Sequence, residues 1–341
     1  MMNTMKAVVL TKPTSAKDIV LSEIPVPQAV PGWVVVKIYA FGMNHSEQIL
    51  RQSEIENDYI KKPIIPGIEC VGEIVDICTE DASSENAFPM QDENKLKKSL
   101  SLGQKVVALM GGMGRSFNGS YAEYALLPIH HVFPVKTDLS WTELASIPET
   151  YFTAWGSLFE CLNLKAEDTL LIRGATCALG YASIQIARAL GCHVVATTHR
   201  ESKLHLLEKA GANECVLDDG SLSEKYAGQF SKVLELVGCK TVCDSLQCVY
   251  KGGIVCNTGV LGGVFALNDF DPIKDIPNGV FLTGFFSNTP TQKDIDAIFD
   301  FLEKHHLKPL VGKVFPFSQI ANACDECDSG KVNGKIVVAV N

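Results

Sequence analysis

Short runs of β-branched and other apolar residues, broken by Gly and Pro, open the chain: MKAVVL, WVVVKIYAFG, GIECVGEIV, QKVVALM and YAEYALLP. Their length and punctuation predict an all-β domain of barrel-like shape over residues 1–128. Between positions 79 and 101 the pattern stops, and the polar run TEDASSENAFPMQDENKLKKSLS predicts an exposed, disordered loop. The rhythm then changes. From 129 to 287 strand-like runs alternate with helical stretches, the mark of an α/β domain with a parallel sheet. The segment DTLLIRGATCALGYASIQIARALGCHVVATTHR is the clearest case. It divides into a strand at 170–173, a tight turn, a helix at 179–190 and a second strand at 193–197, which is one βαβ unit. ECVLDD, SKVLELVG, GGIVCNTGVLGG and GVFLTGF extend the series to about six strands of a doubly wound parallel sheet. The last part, 288–341, holds one amphipathic helix, TQKDIDAIFDFLEKHH, and ends in GKIVVAVN, a strand expected to rejoin the N-terminal β domain. No internal repeat is visible.

Bulk properties narrow the function classes. At 341 residues two domains are expected, each with its own core. Apolar residues make 46% and charged residues 20%, ordinary for a soluble globular enzyme. No apolar run approaches the ~20 residues of a membrane span, and MMNTMKAVVL enters a strand without a signal-peptide apolar region. A net charge of −9 with no basic tract argues against a nucleic-acid surface. The twelve cysteines are scattered through apolar segments (Cys70, Cys161, Cys256), as expected of small buried hydrophobes in a reducing, cytoplasmic setting. Cys324-Asp-Glu-Cys327 and the series Cys239, Cys243, Cys248 both fall in helical stretches. A zinc ribbon would need a second pair at a matching turn, and none exists.

The turn after the 170–173 strand places a helix N-terminus beside a strand's carboxyl end, where free amides and the helix dipole favour phosphate. Set against G-x-G-x-x-G, it gives Ala175, Cys177 and Gly180, so two of three glycines are replaced. The repeated βα units still predict a Rossmann dinucleotide site, with Ala175, Cys177, Ala178, Leu179 and Gly180 at the pyrophosphate. NAD sites place an acid about 20 residues on, at the end of the second strand. Here that position reads Thr197, Thr198, His199, Arg200, with Lys203 one turn later and Glu201 among them. Cationic donors suit a 2′-phosphate, so the cofactor expected is NADPH, held in part by Thr198, His199, Arg200 and Lys203.

One loop, AFGMNHSEQIL, reads like the start of a metal site, yet the residue before its His is Asn44. Together with PIIPGIECVGEI, GQKVVAL, GSYAEY, TAWGSL and SGKVNGKIVV, in this order and spacing, it resembles the medium-chain dehydrogenase/reductase superfamily. Within it the likeness is to the zinc-free quinone oxidoreductase branch that includes zeta-crystallin. The resemblance covers nearly the whole chain and implies a GroES-like β domain, a Rossmann domain and a cofactor lying between them. In zinc members of the superfamily the catalytic metal is held by a Cys, a His and a Cys; the matching positions here are Asn44, Ile68 and Glu149. The structural-zinc lobe is missing too, since no Cys occurs from 79 through 160. His45, Glu47 and Glu69 are the only donors left nearby, and no metal is expected.

Without a metal to polarise a carbonyl, the resemblance implies hydride transfer from NADPH to an already electrophilic small molecule, a quinone or an α,β-unsaturated carbonyl. Asn44 matches the family's active-site Asn and would donate an amide N–H. Tyr59, on the following loop, is a possible proton donor from its position alone. The family pattern further implies cofactor contacts at Thr153, Val237, Gly259, Val260, Leu261, Phe281, Leu282 and Lys335. It also implies a homodimer paired through the edge strand GVFLTGF. Two alternatives remain open: an enoyl-thioester reductase, for which IKKP and KLKKS are the only basic stretches, and a non-catalytic NADPH-binding protein.

Overall fold

A computed structural model describes residues 4–78 and 100–340 of the chain. The loop expected at 79–101 lies outside the described residues but for its last two. The chain divides into two compact units. Unit 1 comprises Met1–Glu149, Asn288–Asp300 and Val311–Asn341, and unit 2 comprises Thr150–Ser287 and Phe301–Leu310. Residues 129–149, read above as the start of the α/β domain, thus fall with the β domain.

Unit 1 is built on β structure. Strands β1 (Thr4–Val8) and β2 (Leu21–Pro25) pair antiparallel as a separate ribbon. The larger sheet contains β3 (Trp33–Gly42), β4 (Glu69–Ile77), β5 (Lys105–Leu109), β6 (Tyr124–Pro128), β7 (Val132–Pro134), β14 (Val311–Pro316) and β15 (Lys335–Ala339). Its order is β14-β15-β3-β4-β5-β7, with β6 also on β3. The ten-residue β3 is the spine: Val34, Val36, Ile38 and Phe41 are buried in the core, with β4, β6 and β15 paired along its length. The C-terminal strand does return to the β domain, Val337 opposite Gly42 and Ala339 opposite Ala40. β14 was not foreseen. Phe315 is its one buried residue, so it carries almost no apolar pattern.

Unit 2 carries one six-stranded parallel sheet: β8 (Thr169–Arg173), β9 (His193–Thr198), β10 (Glu214–Leu217), β11 (Phe230–Glu235), β12 (Val249–Asn257) and β13 (Phe281–Gly284). The order β10-β9-β8-β11-β12-β13 is the Rossmann arrangement, whose direction of winding reverses between β8 and β11. β8 is apolar on both faces, as a parallel strand under two helical layers must be: Leu170, Leu171 and Ile172 are all buried. Of the series Cys239, Cys243 and Cys248, expected on one helical stretch, the last two lie on the helix Val242–Cys248, which ends where β12 begins, and Cys239 precedes it. Among the described residues no helix is long and apolar enough to cross a membrane. All twelve cysteines are free thiols.

Candidate functional site

In unit 2 the carboxyl ends of four strands supply one group of residues. After β8, Gly174 takes φ 77 and turns the chain, while the Ala175 N–H donates to the Thr197 carbonyl at 2.8 Å. Cys177 is the N-cap of the helix Ala178–Leu190 with φ −132, an extended conformation open to any side chain. Its sulfur accepts from the Gly180 N–H at 3.4 Å, the role a Ser or Asp cap ordinarily plays. Gly180 cannot be replaced so freely: a Cβ there would lie 2.2 Å from the Ala175 carbonyl oxygen. The left-handed turn and the close approach therefore fall on Gly174 and Gly180, and Ala175 and Cys177 occupy positions where glycine is dispensable. The first-turn amides of Ala178 and Leu179 precede the first internal helix bond, Tyr181 N–H to Cys177 carbonyl.

β9 ends at buried Thr198, whose hydroxyl accepts from the Arg200 N–H at 3.2 Å and meets the Thr176 hydroxyl at 3.3 Å. His199 and Arg200 are exposed, their side chains 3.2 Å apart. Half-buried Lys203 lies close enough to Arg200 that burial and this like charge together lower its pKa below the usual lysine value. Repelling cations gathered at a strand's carboxyl end favour an anion. On the other side of β8, buried Glu235 at the end of β11 accepts from the N–H groups of Val237 and Gly238 at 2.7 and 3.0 Å and from Thr241 and Ser245. The loop after β12 is stitched to it: Gly259 N–H donates to Glu235 and Leu261 N–H to Leu236, both at 3.1 Å. The structure thus brings Cys177–Gly180, Thr198–Lys203, Val237 and Gly259–Leu261 to strand ends flanking the β8–β11 reversal, where open α/β sheets bind ligands. Thr153 sits buried in the helix Pro148–Trp155, its carbonyl accepting from the Ser157 hydroxyl. Phe281, 59% exposed, and Leu282 lie on the edge strand β13.

Two further features of unit 2 escaped the sequence reading. Arg173, fully buried at the end of β8, donates to Asp218 at 2.8 and 3.0 Å and to Asp244 at 2.6 Å. It ties β8 to the segments after β10 and β11. The signal was present, an Arg closing the apolar run LLIR. Glu235 is the second, an acid ending a buried strand.

Unit 1 holds the altered metal loop. Asn44 caps the helix His45–Gln52, and its backbone N–H donates to Glu47 Oε2 at 2.5 Å. The Asn44 amide was expected to offer an N–H to the acceptor. Instead Nδ2 donates to Glu69 Oε1 at 2.9 Å and to Glu47 Oε1 at 3.2 Å, so both protons are directed at carboxylates. Its Oδ1 accepts from Lys335 Nζ at 2.6 Å. Lys335 was expected at the cofactor; its ammonium is 3% exposed and lies 2.6 Å from Glu69 Oε1. Burial alone would lower the Lys335 pKa, but Glu69 and Glu149 outweigh it and the pKa is raised. Glu69 Oε2 accepts the Glu149 N–H at 2.8 Å. Glu47 accepts from Ile68 N–H and the Tyr121 hydroxyl, and burial pushes its pKa up to about 7 against the lowering by Asn44 and Lys335.

This donor set does not fit zinc. Ile68 offers no lone pair, Asn44 is already saturated, and Glu69 is paired to an ammonium. Among the described residues no group of three or more His, Cys, Asp or Glu is placed to hold a metal ion. His45 is exposed and bonded to Gln48. Burial pushes Cys324 and Cys327 up to about 12, so neither thiol is a ready thiolate. Tyr59 is 63% exposed and its hydroxyl donates to Glu54 at 2.7 Å, which Arg115 also holds. No other candidate site residue shares that cluster.

A GroES-like β unit and a Rossmann sheet in one chain define the two-domain dehydrogenase class. Comparison with known proteins agrees: residues 30–137 match the alcohol dehydrogenase GroES-like domain and residues 210–338 the zinc-binding dehydrogenase family. Quinone oxidoreductase of Homo sapiens is 26% identical over 329 residues, spanning 93% of this chain and 92% of its own. The quinone oxidoreductase structure from Coxiella burnetii superposes with TM-score 0.80 at 19% identity, covering 99% of this chain and all of that one. A mycobacterial protein solved with NADPH gives 0.81 at 22% identity, covering 98% and 99%. The chain belongs to the medium-chain dehydrogenase/reductase superfamily and is an oxidoreductase.

Proposed function

We propose that this chain is a zinc-independent reductase that takes NADPH and reduces a quinone or an α,β-unsaturated carbonyl. The Asn44–Glu69–Lys335 cluster carries the reading. An ammonium bonded to Glu69 and Asn44 at 2.6 Å each is the charge this loop is built around, and it polarises no substrate from a buried, saturated position. The acceptor must then be electrophilic by itself, as a quinone carbon or the β-carbon of an enone is. When bound, the nicotinamide supplies hydride to that carbon. Arg200 and Lys203 would hold the 2′-phosphate, the amides of Ala178 and Leu179 would bind the diphosphate, and Gly259–Leu261 would line the nicotinamide end.

Similarity to quinone oxidoreductases supports the acceptor class. The twelve free thiols support a reducing, cytoplasmic setting. The outer edge of β13, which pairs with no strand among the described residues, has Phe281 59% exposed and Phe286, two residues past the strand, 78% exposed; this supports a homodimer joined along that strand. The deciding experiment follows NADPH absorbance with 1,4-benzoquinone, 9,10-phenanthrenequinone and a short enone, with and without EDTA. Oxidation by at least one acceptor, unchanged by chelator, is the expected result. Chelator-sensitive turnover overturns the zinc-independent reading, and tight NADPH binding with no turnover marks a non-catalytic binder.

A further inference from the structure

The helix that receives the phosphate carries a buried hydroxyl with no role in the fold. Tyr181 is 2% exposed, and its hydroxyl finds no hydrogen-bond partner among the described residues. A buried hydroxyl left unpaired is costly, and a side chain one atom shorter, phenylalanine, would avoid the cost altogether. The position of the ring says where a partner would come from. Tyr181 follows the N-cap Cys177 by four residues, so the two share a face. Helical side chains lean toward the N-terminus, which brings the tyrosine ring back over the first turn. The Cys177 thiol is near enough to add to the effect of burial, which pushes the Tyr181 hydroxyl up to about 12. It therefore stays protonated and is a donor at any working pH. One turn further along the same face, Gln185 accepts from the Tyr151 hydroxyl at 2.7 Å, so that neighbouring polar group is satisfied within the protein. Tyr181, a turn closer to the free amides, is not.

We propose that the Tyr181 hydroxyl donates a hydrogen bond to a diphosphate oxygen of the bound dinucleotide, supplementing the amides of a turn that has lost two glycines. This rests on the NADPH reading above. It predicts a dependence on the diphosphate and not on the 2′-phosphate, opposite to Lys203.

The test measures binding of NADPH, NADH and 2′-AMP, which lacks the diphosphate, to the unaltered chain, Tyr181→Phe and Lys203→Ala, alongside ligand-free melting temperatures. Tyr181→Phe should weaken NADPH and NADH about tenfold each, the ordinary loss for a charge-assisted hydrogen bond. Binding of 2′-AMP should stay within about twofold, and the ligand-free protein should melt at the same temperature or higher, since an unpaired hydroxyl has been removed. Lys203→Ala should weaken NADPH and 2′-AMP and spare NADH. Unchanged dinucleotide affinity in Tyr181→Phe overturns the assignment, as does a loss accompanied by a lower ligand-free melting temperature, which would mark a structural hydroxyl. If the unaltered chain binds neither dinucleotide, the cofactor reading falls and this inference with it. If it binds both and Tyr181→Phe matches it, only the tyrosine assignment falls.

Discussion

Glu47 should make unit 1 lose stability between pH 5 and 7, and the size of the loss follows from its surroundings. The carboxyl is 3% exposed and faces Lys335, Glu69, the Tyr121 phenol and the thiols of Cys324 and Cys327. Burial raises its pKa from the ordinary 4.5 to about 7. A group whose folded value lies above its unfolded one contributes stability that is complete below 4.5 and lost as pH rises through 7. At 1.36 kcal/mol per factor of ten, that interval is worth about 3 kcal/mol. The perturbation is Glu47→Gln, which keeps the volume and removes the titration. Its amide NH₂ must face an N–H donor that the carboxyl accepted, so the variant is weaker at low pH. The assay is urea unfolding from pH 4.5 to 8.5 in a Trp155→Phe background, which leaves Trp33 and Trp141, both in unit 1, as reporters. The stability advantage of Glu47 over Gln should shrink by about 3 kcal/mol across the range, mostly between pH 5 and 7. Parallel curves would show that Glu47 titrates alike in folded and unfolded chains.

Three further outcomes test the site and the assembly. Lys203→Ala should weaken NADPH by about ten- to a hundredfold while NADH changes little; equal loss for both cofactors would show that Lys203 does not meet the 2′-phosphate. Elemental analysis of purified protein should find no stoichiometric zinc, and a value near one per chain would contradict the Asn44, Ile68 and Glu149 argument. In a dimer paired along β13, Leu282→Lys would set a charge beside its own symmetry mate and should break the pair into monomers or precipitate it. A monomer by light scattering for the unaltered chain at micromolar concentration would show the edge closed from within.

What the sequence disclosed depended on how local each pattern was. The six strands of unit 2 were legible because β8, β9 and β11 are buried apolar runs and β10, β12 and β13 are short apolar runs bounded by turn residues, and the cations at Arg200 and Lys203 because they follow a strand end at a fixed distance. The helix Pro148–Trp155 and the π-helical turn Gly156–Cys161 were not assigned. Their stretch YFTAWGSLF is mostly apolar, with no charged face to set off a helical period. β14 failed for a different reason: Gly312, Lys313 and Pro316 interrupt its apolar residues, and no run or alternation is left. At the metal-like loop, the absence of thiolates was readable position by position. The cation bonded to Asn44 was not: Lys335 reaches it across 291 positions, and neither flanking sequence carries any mark of that pairing. The same gap explains the amide. Asn44 looked like a donor until its two protons were assigned to Glu47 and Glu69.

That assignment also explains how the loop keeps its shape with a set of residues unfit for zinc. Buried Glu69 would be intolerable alone, since an isolated carboxylate in a low-dielectric interior costs several kcal/mol. Here it has an ammonium at 2.6 Å, an amide at 2.9 Å and a backbone N–H at 2.8 Å. Glu47 solves the same problem differently, by a pKa near neutrality, so that the cluster holds one full anion, one full cation and a group that gives up its charge when the interior disfavours it. Asn44 links all three and caps the following helix with its own backbone. A thiolate at position 44 would add a second full anion with no amide protons to share between the carboxylates. Asn44 thus serves a loop whose cation is covalently part of β15.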